Sequence, residues 1–299
     1  MMRVYPGKTD ELFPQDKVRG TILVTIRRLD QEGRTYFYLE HPVKIDGRVK
    51  KYSKYLGKAI PENVDDLKKQ FLFEINSSRW AAVSELAKEK MESLKKGLSS
   101  EQIEMMQHNS ALSFTANSLM ISGSKITILE LKRLTEKAKV PKWRTSGETK
   151  EAKTHYEIAM DNYKRTHEFS FDLMVDWHWK VFRESRPSIA GIVKDIVPVA
   201  RKIESYYDEN SKKVEKTMLA ALLHWKLIRE KPFLEGNDII ARLSMNWLLQ
   251  MQGYPVLDLE FNERKRYESA LQKSILQNDE SIFLKWFFLK YERKTVMLA

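Results

Sequence analysis

One change of period, near residue 61, constrains this chain more than any other feature of its sequence. Before it, the stretches 21–29 (TILVTIRRL) and 35–40 (TYFYLE) are rich in β-branched and aromatic residues, with Gly33 between them, which predicts two strands and a turn. A second turn is expected at Asp46-Gly47, leading into the basic, partly alternating RVKKYSKYLG that ends at Gly57. After Pro61 the period lengthens: Val64, Leu67, Phe71, Leu72 and Ile75 recur at helical spacing. Further helices are predicted over 80–95, 98–110, 127–138, 149–165 and 168–184, over 191–207 with a break at Pro198, and over 211–229, 239–252 and 264–290. The stretch SIFLKWFFLKY reads as a buried closing helix. The expected fold is mainly α, a helical bundle at 61–299 with a small, basic, antiparallel sheet at 1–60. Such a sheet is too small to stand alone and should pack on helix.

Composition narrows the function classes. The chain has 299 residues and no cysteine, which removes disulfides, thiolate nucleophiles and thiolate metal centres. At 42% hydrophobic and 31% charged, with 11 Gly and 9 Pro, it has the make-up of a folded protein rather than a disordered or collagen-like one. The N-terminal MMRVYPGKTDELFPQDK lacks an apolar signal core, and no stretch approaches the roughly 18 apolar residues of a membrane span, so a cytoplasmic location is expected. A formal charge of +11 admits nucleotides, nucleic acid and other acidic partners.

The most informative segment is 221–257. A helix ends near Arg229, a loop with Pro232 reaches Gly236-Asn237, and a new helix begins near Asp238 or Ile239. Backbone N–H groups at such a helix start suit phosphate or another anion; the simpler alternative is that Asn237 or Asp238 caps the helix. The loop reads Lys231-Pro232-Phe233-Leu234-Glu235-Gly236-Asn237-Asp238-Ile239-Ile240-Ala241-Arg242. It resembles the signature of the Fic/Doc (Fido) family, His-Pro-Phe-x-Asp/Glu-Gly-Asn-Gly-Arg-x-x-Arg, and departs from it at Lys231, Asp238 and Ile239. Leu223-His224 before it, and Met245-Asn246, Leu248-Leu249 and Gly253-Tyr254-Pro255 after it, extend the resemblance. Upstream, Phe114 through Ser118 and Ile121-Ser122-Gly123-Ser124 are similar to the family segment in which a glutamate is often inhibitory and pairs with the final signature arginine, here Arg242, with Ser122 in the place of that glutamate. Pro187 and Ala190-Gly191 resemble the approach to the family's substrate-positioning flap. The resemblance covers roughly residues 100–290.

What the resemblance implies is transfer of AMP, or another phosphate-containing group, from a nucleotide to a protein hydroxyl, with ATP and Mg²⁺ as cofactors. It assigns the proton-accepting position to Lys231, a metal-ligand role to Glu235, an anion cradle to Gly236 and Asn237 with Asp238 beside them, and a phosphate contact to Arg242. Lysine, with a reference pKa of about 10.4, is mostly protonated near neutrality and is a poor general base without strong desolvation. Asp238 would repel a phosphate, and Ile239 supplies no charge where the family has an arginine. The expectation is a catalytically degenerate Fic-like protein that binds a nucleotide, another anion or a protein partner. An atypical nucleotidyl- or phosphoryl-transferase, with Lys231 on phosphate and a base from elsewhere, is the alternative.

Other candidates are weaker. His224 either lines the cleft or packs; His41, His108, His155, His167 and His178 show no metal-ligand spacing. Trp177, Trp179 and Phe182 pack a helix, or Trp179 and Lys180 approach the flap. In the N-terminal region Arg27, Arg28, Arg34, Lys44, Arg48, Lys50, Lys51, Lys54 and Lys58 alternate with Tyr36, Tyr38, Tyr52 and Tyr55, a pattern shared by nucleic-acid surfaces and by charged sheet edges that resist aggregation.

Overall fold

The computed structural model describes residues 24–45, 48–164 and 168–298. The turn expected at Asp46-Gly47, His167 and the first three residues of the 21–29 stretch lie outside the described residues. Two units emerge, Met1–Arg79 and Trp80–Ala299.

In the first unit, β1 (Thr25–Gln31), β2 (Arg34–Ile45) and β3 (Arg48–Gly57) form an antiparallel sheet in that order. Glu32 and Gly33, with φ of 51° and 73°, make the two-residue turn that joins β1 to β2, because both central positions of such a hairpin need positive φ. Opposite Ile26 in the ladder stands Leu39, and both lie on the face that meets the first turns of α1 (Val64–Lys96). Val24, Leu39, Phe71 and Ile75 are the buried centre of this small core, and Lys54 reaches Glu74 of α1 at 2.8 Å. The sheet thus packs on the first turns of α1.

The named elements described in the second unit are all helices. Where breaks were expected at residue 79 and at residue 110, the backbone runs on: α1 continues from Val64 to Lys96, and α2 spans Ser100–Ile121 behind a Ser99/Gln102 capping box. The half-turns 111–121 escape a periodicity search because nearly every side chain there is buried. They are followed by α3 (Ile128–Lys137), α4 (Ser146–Asp161), α5 (Phe171–Phe182) and α6 (Ile196–Ser211). Pro198 does not break α6: it occupies the first turn, where a missing N–H costs no intrahelical bond. Next come α7 (Lys216–Glu230), α8 (Asn237–Met251), a 3-10 turn at Phe261–Glu263, α9 (Arg264–Leu276) and α10 (Glu280–Val296). The single helix expected over 264–290 is two, separated at Asn278, which takes a left-handed φ of 48°, and restarted by the Asp279 cap.

The hairpin α7–α8 is the centre of this unit, with Leu219–Trp225 and Ile239–Leu249 buried almost without interruption. α10 closes the bundle through Phe283, Leu284, Phe287, Phe288 and Tyr291, and Phe288 stacks on Trp80 at 5.1 Å. A buried hairpin of this kind fixes its own connecting loop, and that loop is the segment singled out by sequence.

Candidate functional site

The loop begins where Lys231 stops α7 by turning left-handed (φ 46°), its N–H still bonded to Leu227 O at 3.0 Å. Phe233 then plunges inward, fully buried, and stacks on His178 of α5 with centroids 4.1 Å apart. Asn237 holds the turn shut: its side-chain oxygen accepts from Phe233 N–H, and its amide donates to Phe233 O, both at 2.9 Å. Gly236 ends the loop at φ 70°, where a Cβ would lie 2.4 Å from Phe182 Cε2. Only glycine fits both that angle and that space.

A second strand of chain braces the loop. Val193 bridges Phe233, and Lys194 N–H donates to Pro232 O at 2.9 Å, so the chain at 193–194 runs against the signature loop. His178 ties the two together. Gly191 N–H donates to its Nδ1 at 2.9 Å, which leaves the proton on Nε2, and Nε2 donates to Glu235 O at 3.0 Å. Burial pushes the pKa of His178 down to about 4, so this neutral tautomer is the working one at neutral pH.

Charge at the site is paired off internally. Arg242 is 1% exposed and sends Nε to Ser118 Oγ and Nη2 to Ser118 O, both at 2.9 Å. Nη2 also reaches Ser122 Oγ at 2.6 Å and Asp238 Oδ2 at 3.0 Å, and Nη1 meets Tyr267 Oη at 3.4 Å. The Ser122 hydroxyl donates to the same Asp238 carboxylate. Burial works against charge on Asp238, but the Arg242 guanidinium, the Ser122 hydroxyl and the Ile239 N–H outweigh it and hold the carboxyl below its ordinary value. The same carboxylate, set against burial, keeps Arg242 more firmly protonated than usual. Glu235 projects outward, its side chain 59% exposed, and meets Arg186 Nη1 at 3.0 Å; Arg186 also pairs with Glu151 at 3.1 Å.

Two clefts meet at Asp238. One, of about 500 Å³, is walled by Ile228, Leu271 and Ile275, with Lys231, Asp238 and Arg242 at its polar end. The other, of about 360 Å³, is polar and bounded by Ser122, Glu148, Glu151, Arg186 and Glu235.

The structure therefore brings Lys231, Glu235, Gly236, Asn237, Asp238 and Arg242 to one place, with each polar group except Lys231 already engaged by the chain itself. Asn237 spends its side chain on Phe233 of the loop, and Asp238 accepts from the Ile239 N–H in the first turn of α8 as well as from Arg242. Arg242, left without its family glutamate by Ser122, has a carboxylate after all: it comes from Asp238, one turn away on the same helix. Asp238 pairs with Arg242 and not with Lys231. The groups that the resemblance assigns to phosphate and to metal are ion-paired within the chain, Arg242 with Asp238 and Glu235 with Arg186, each at 3.0 Å. Among the described residues no group of three His, Asp or Glu side chains converges to hold a metal ion.

Sequence reasoning weighed His178 only as a metal ligand and missed Arg186, Glu151 and Tyr267. Spacing carries no sign of them, since each comes from a different helix or loop. His224 is a packing residue, fully buried, stacked on Phe283 at 5.0 Å and bonded to Tyr267 Oη at 2.8 Å.

The fold agrees with what comparison with known proteins finds. The sequence model of the Fic/DOC family matches residues 155–249. Curated relatives include the protein adenylyltransferase fic-1 of Caenorhabditis briggsae, 27% identical over 36% of this chain and 24% of the relative. The protein adenylyltransferase Fic of Drosophila ananassae is 32% identical over 30% of this chain and 19% of its own length. The structure of Fic-1 from C. elegans superposes with a TM-score of 0.67 at 18% identity, covering 80% of this chain and 77% of that one. A Fic-domain signaling protein from Bacteroides thetaiotaomicron gives 0.64 at 19% identity, covering 72% and 94%. Residues 155–249 match the Fic/DOC family, and the chain shares the fold of these Fic structures. It spans about a quarter or less of the length of these curated relatives. No helix among the described residues is long and apolar enough to cross a membrane.

Proposed function

We propose that this is a degenerate Fic-like protein whose anion site is kept closed by its own carboxylate and which does not carry out ordinary AMP transfer. The observation behind this reading is the Arg242–Asp238 pair at 3.0 Å, completed by Ser122. The basic residue expected to bind phosphate is spent on an internal anion, and Lys231 stands where the family places its proton acceptor. Both relatives named above are adenylyltransferases, which supports a nucleotide-related ancestry for the site and leaves its present use a matter of these residues.

In this reading ligand binding requires displacement of Asp238. The ligand that suits the opened site has an anionic head for Arg242 and Lys231 and an apolar body for the cleft along Leu271 and Ile275, which a nucleotide satisfies.

The test is labelling with α-phosphate-labelled ATP and Mg²⁺ in cell extract and in the purified protein alone. The native chain should label nothing, and Lys231→His alone should not restore transfer. The combination of Lys231→His, Asp238→Gly and Ile239→Arg, which rebuilds the family pattern, should gain it. Label transferred by the native chain and abolished by Lys231→Ala would overturn the proposal.

A further inference from the structure

The sheet of the first unit divides its residues between two faces. Register and burial put Ile26, Leu39, Tyr52, Lys54 and Leu56 on the face toward α1. The other face carries Thr25, Arg27 and Gln31 from β1, Arg34, Tyr36 and Tyr38 from β2, and Val49, Lys51, Ser53 and Tyr55 from β3. Val49 and Tyr55 are 65% and 53% exposed, so this face is open. Its one acidic group among the described residues, Glu40, is already bound by Arg27 at 2.9 Å. Arg34 and Lys51 on the face, Arg48 at the start of β3 and Lys58 just past its end form no ion pair with any described residue.

We propose that this outer face docks duplex DNA. Cations that pair with no described residue, Arg34 and Lys51 on the face with Arg48 and Lys58 at its margins, match the phosphate rails of a duplex, and Gln31, Thr25 and Ser53 on the face are hydrogen-bonding groups suited to base edges. The dimensions agree. Strands lie about 4.8 Å apart, so three span about 10 Å between outer axes, within a major groove of about 12 Å. The deep, narrow major groove of duplex RNA does not admit such a sheet.

Single strands suit the face less well. Base stacking needs free ring faces. Tyr55 packs against Tyr38 with centroids at 5.2 Å and against Tyr36 at 6.3 Å, each tilted by 50°, so the three rings occupy one another. They stiffen the face.

The proposal is independent of the Fic signature and is tested on the full chain by fluorescence anisotropy. The probes are a mixed-sequence 20-base-pair DNA duplex, the matching RNA duplex, a 20-nucleotide single strand and a poly-glutamate peptide. Saturable binding to the DNA duplex should dominate, with a slope of roughly −3 to −4 in log affinity against log salt for four phosphate contacts. Arg34→Gln combined with Lys51→Gln should weaken it about tenfold or more near 0.1 M salt and flatten the slope by about two. Lys69→Gln, an exposed charge on α1 behind the sheet, should change neither, and circular dichroism should match the native chain for all variants. Absence of saturable duplex binding would overturn the assignment. So would equal affinity for the RNA duplex, single strand or poly-glutamate, or no loss in the double variant, or equal loss in Lys69→Gln.

Discussion

Arg242 and Asp238 sit one turn apart on α8 and are joined at 3.0 Å, with Ser122 of α2 touching both. The arginine is buried and the aspartate side chain is 40% exposed. That asymmetry sets the energetics: desolvation falls mostly on Arg242, and Asp238 is the nearest anion that compensates it. Asp238→Asn should therefore lower stability by about 1–3 kcal/mol, less than loss of a fully buried partner, because water reaches the site. Urea unfolding monitored by tryptophan fluorescence checks this, and the loss should be smaller in Ser122→Ala, which leaves the ion pair in place.

Acid should unfold the protein through its histidines before its carboxylates. Burial pushes His155 and His224 down to about 3 and His178 down to about 4. A histidine depressed in the folded state binds its proton more readily when unfolded, so stability is intact above about pH 6.5 and falls as pH drops toward the folded values. Three such groups give a slope of up to about 4 kcal/mol per pH unit between roughly pH 6 and pH 4. Asp238, depressed in the fold, adds a further loss only below about pH 4. Unfolding free energies measured from pH 7 to pH 4 should show this, and His224→Leu should remove about one proton from the slope.

Gly236→Ala probes the loop's fit against α5. The new methyl group would meet Phe182 at 2.4 Å from a backbone at φ 70°. A loss of about 2–4 kcal/mol is expected from strain and overpacking together. Glu235→Ala is the contrasting change: Arg186 keeps Glu151, and an exposed pair is worth little, so stability should move by less than about 0.5 kcal/mol.

Sequence periodicity locates most helices because their buried faces alternate with solvent. It fails where that contrast disappears: residues 111–121 of α2 are buried nearly all round, and α1 runs through a boundary that the pattern suggests at residue 79. Pro198 misleads because its effect depends on position within the turn. The loop from Lys231 to Arg242 is legible as a motif, and Ser122 lands beside Arg242 where the upstream resemblance puts it. The Asp238–Arg242 pairing is readable only as an i, i+4 possibility, since Lys231 competes for it on paper and loses by geometry. His178 carries no sequence signal: its role comes from Gly191 and Glu235, 13 and 57 residues away.

The closed site is tested most directly by calorimetric titration with ATP and Mg²⁺ on the native chain and on Asp238→Gly. The account predicts no saturable heat for the native chain up to about 1 mM, where binding free energy is near −4 kcal/mol, and saturable binding for Asp238→Gly that Arg242→Ala abolishes. Micromolar binding by the native chain, weakened by Glu235→Ala and unchanged by Asp238→Gly, would contradict it.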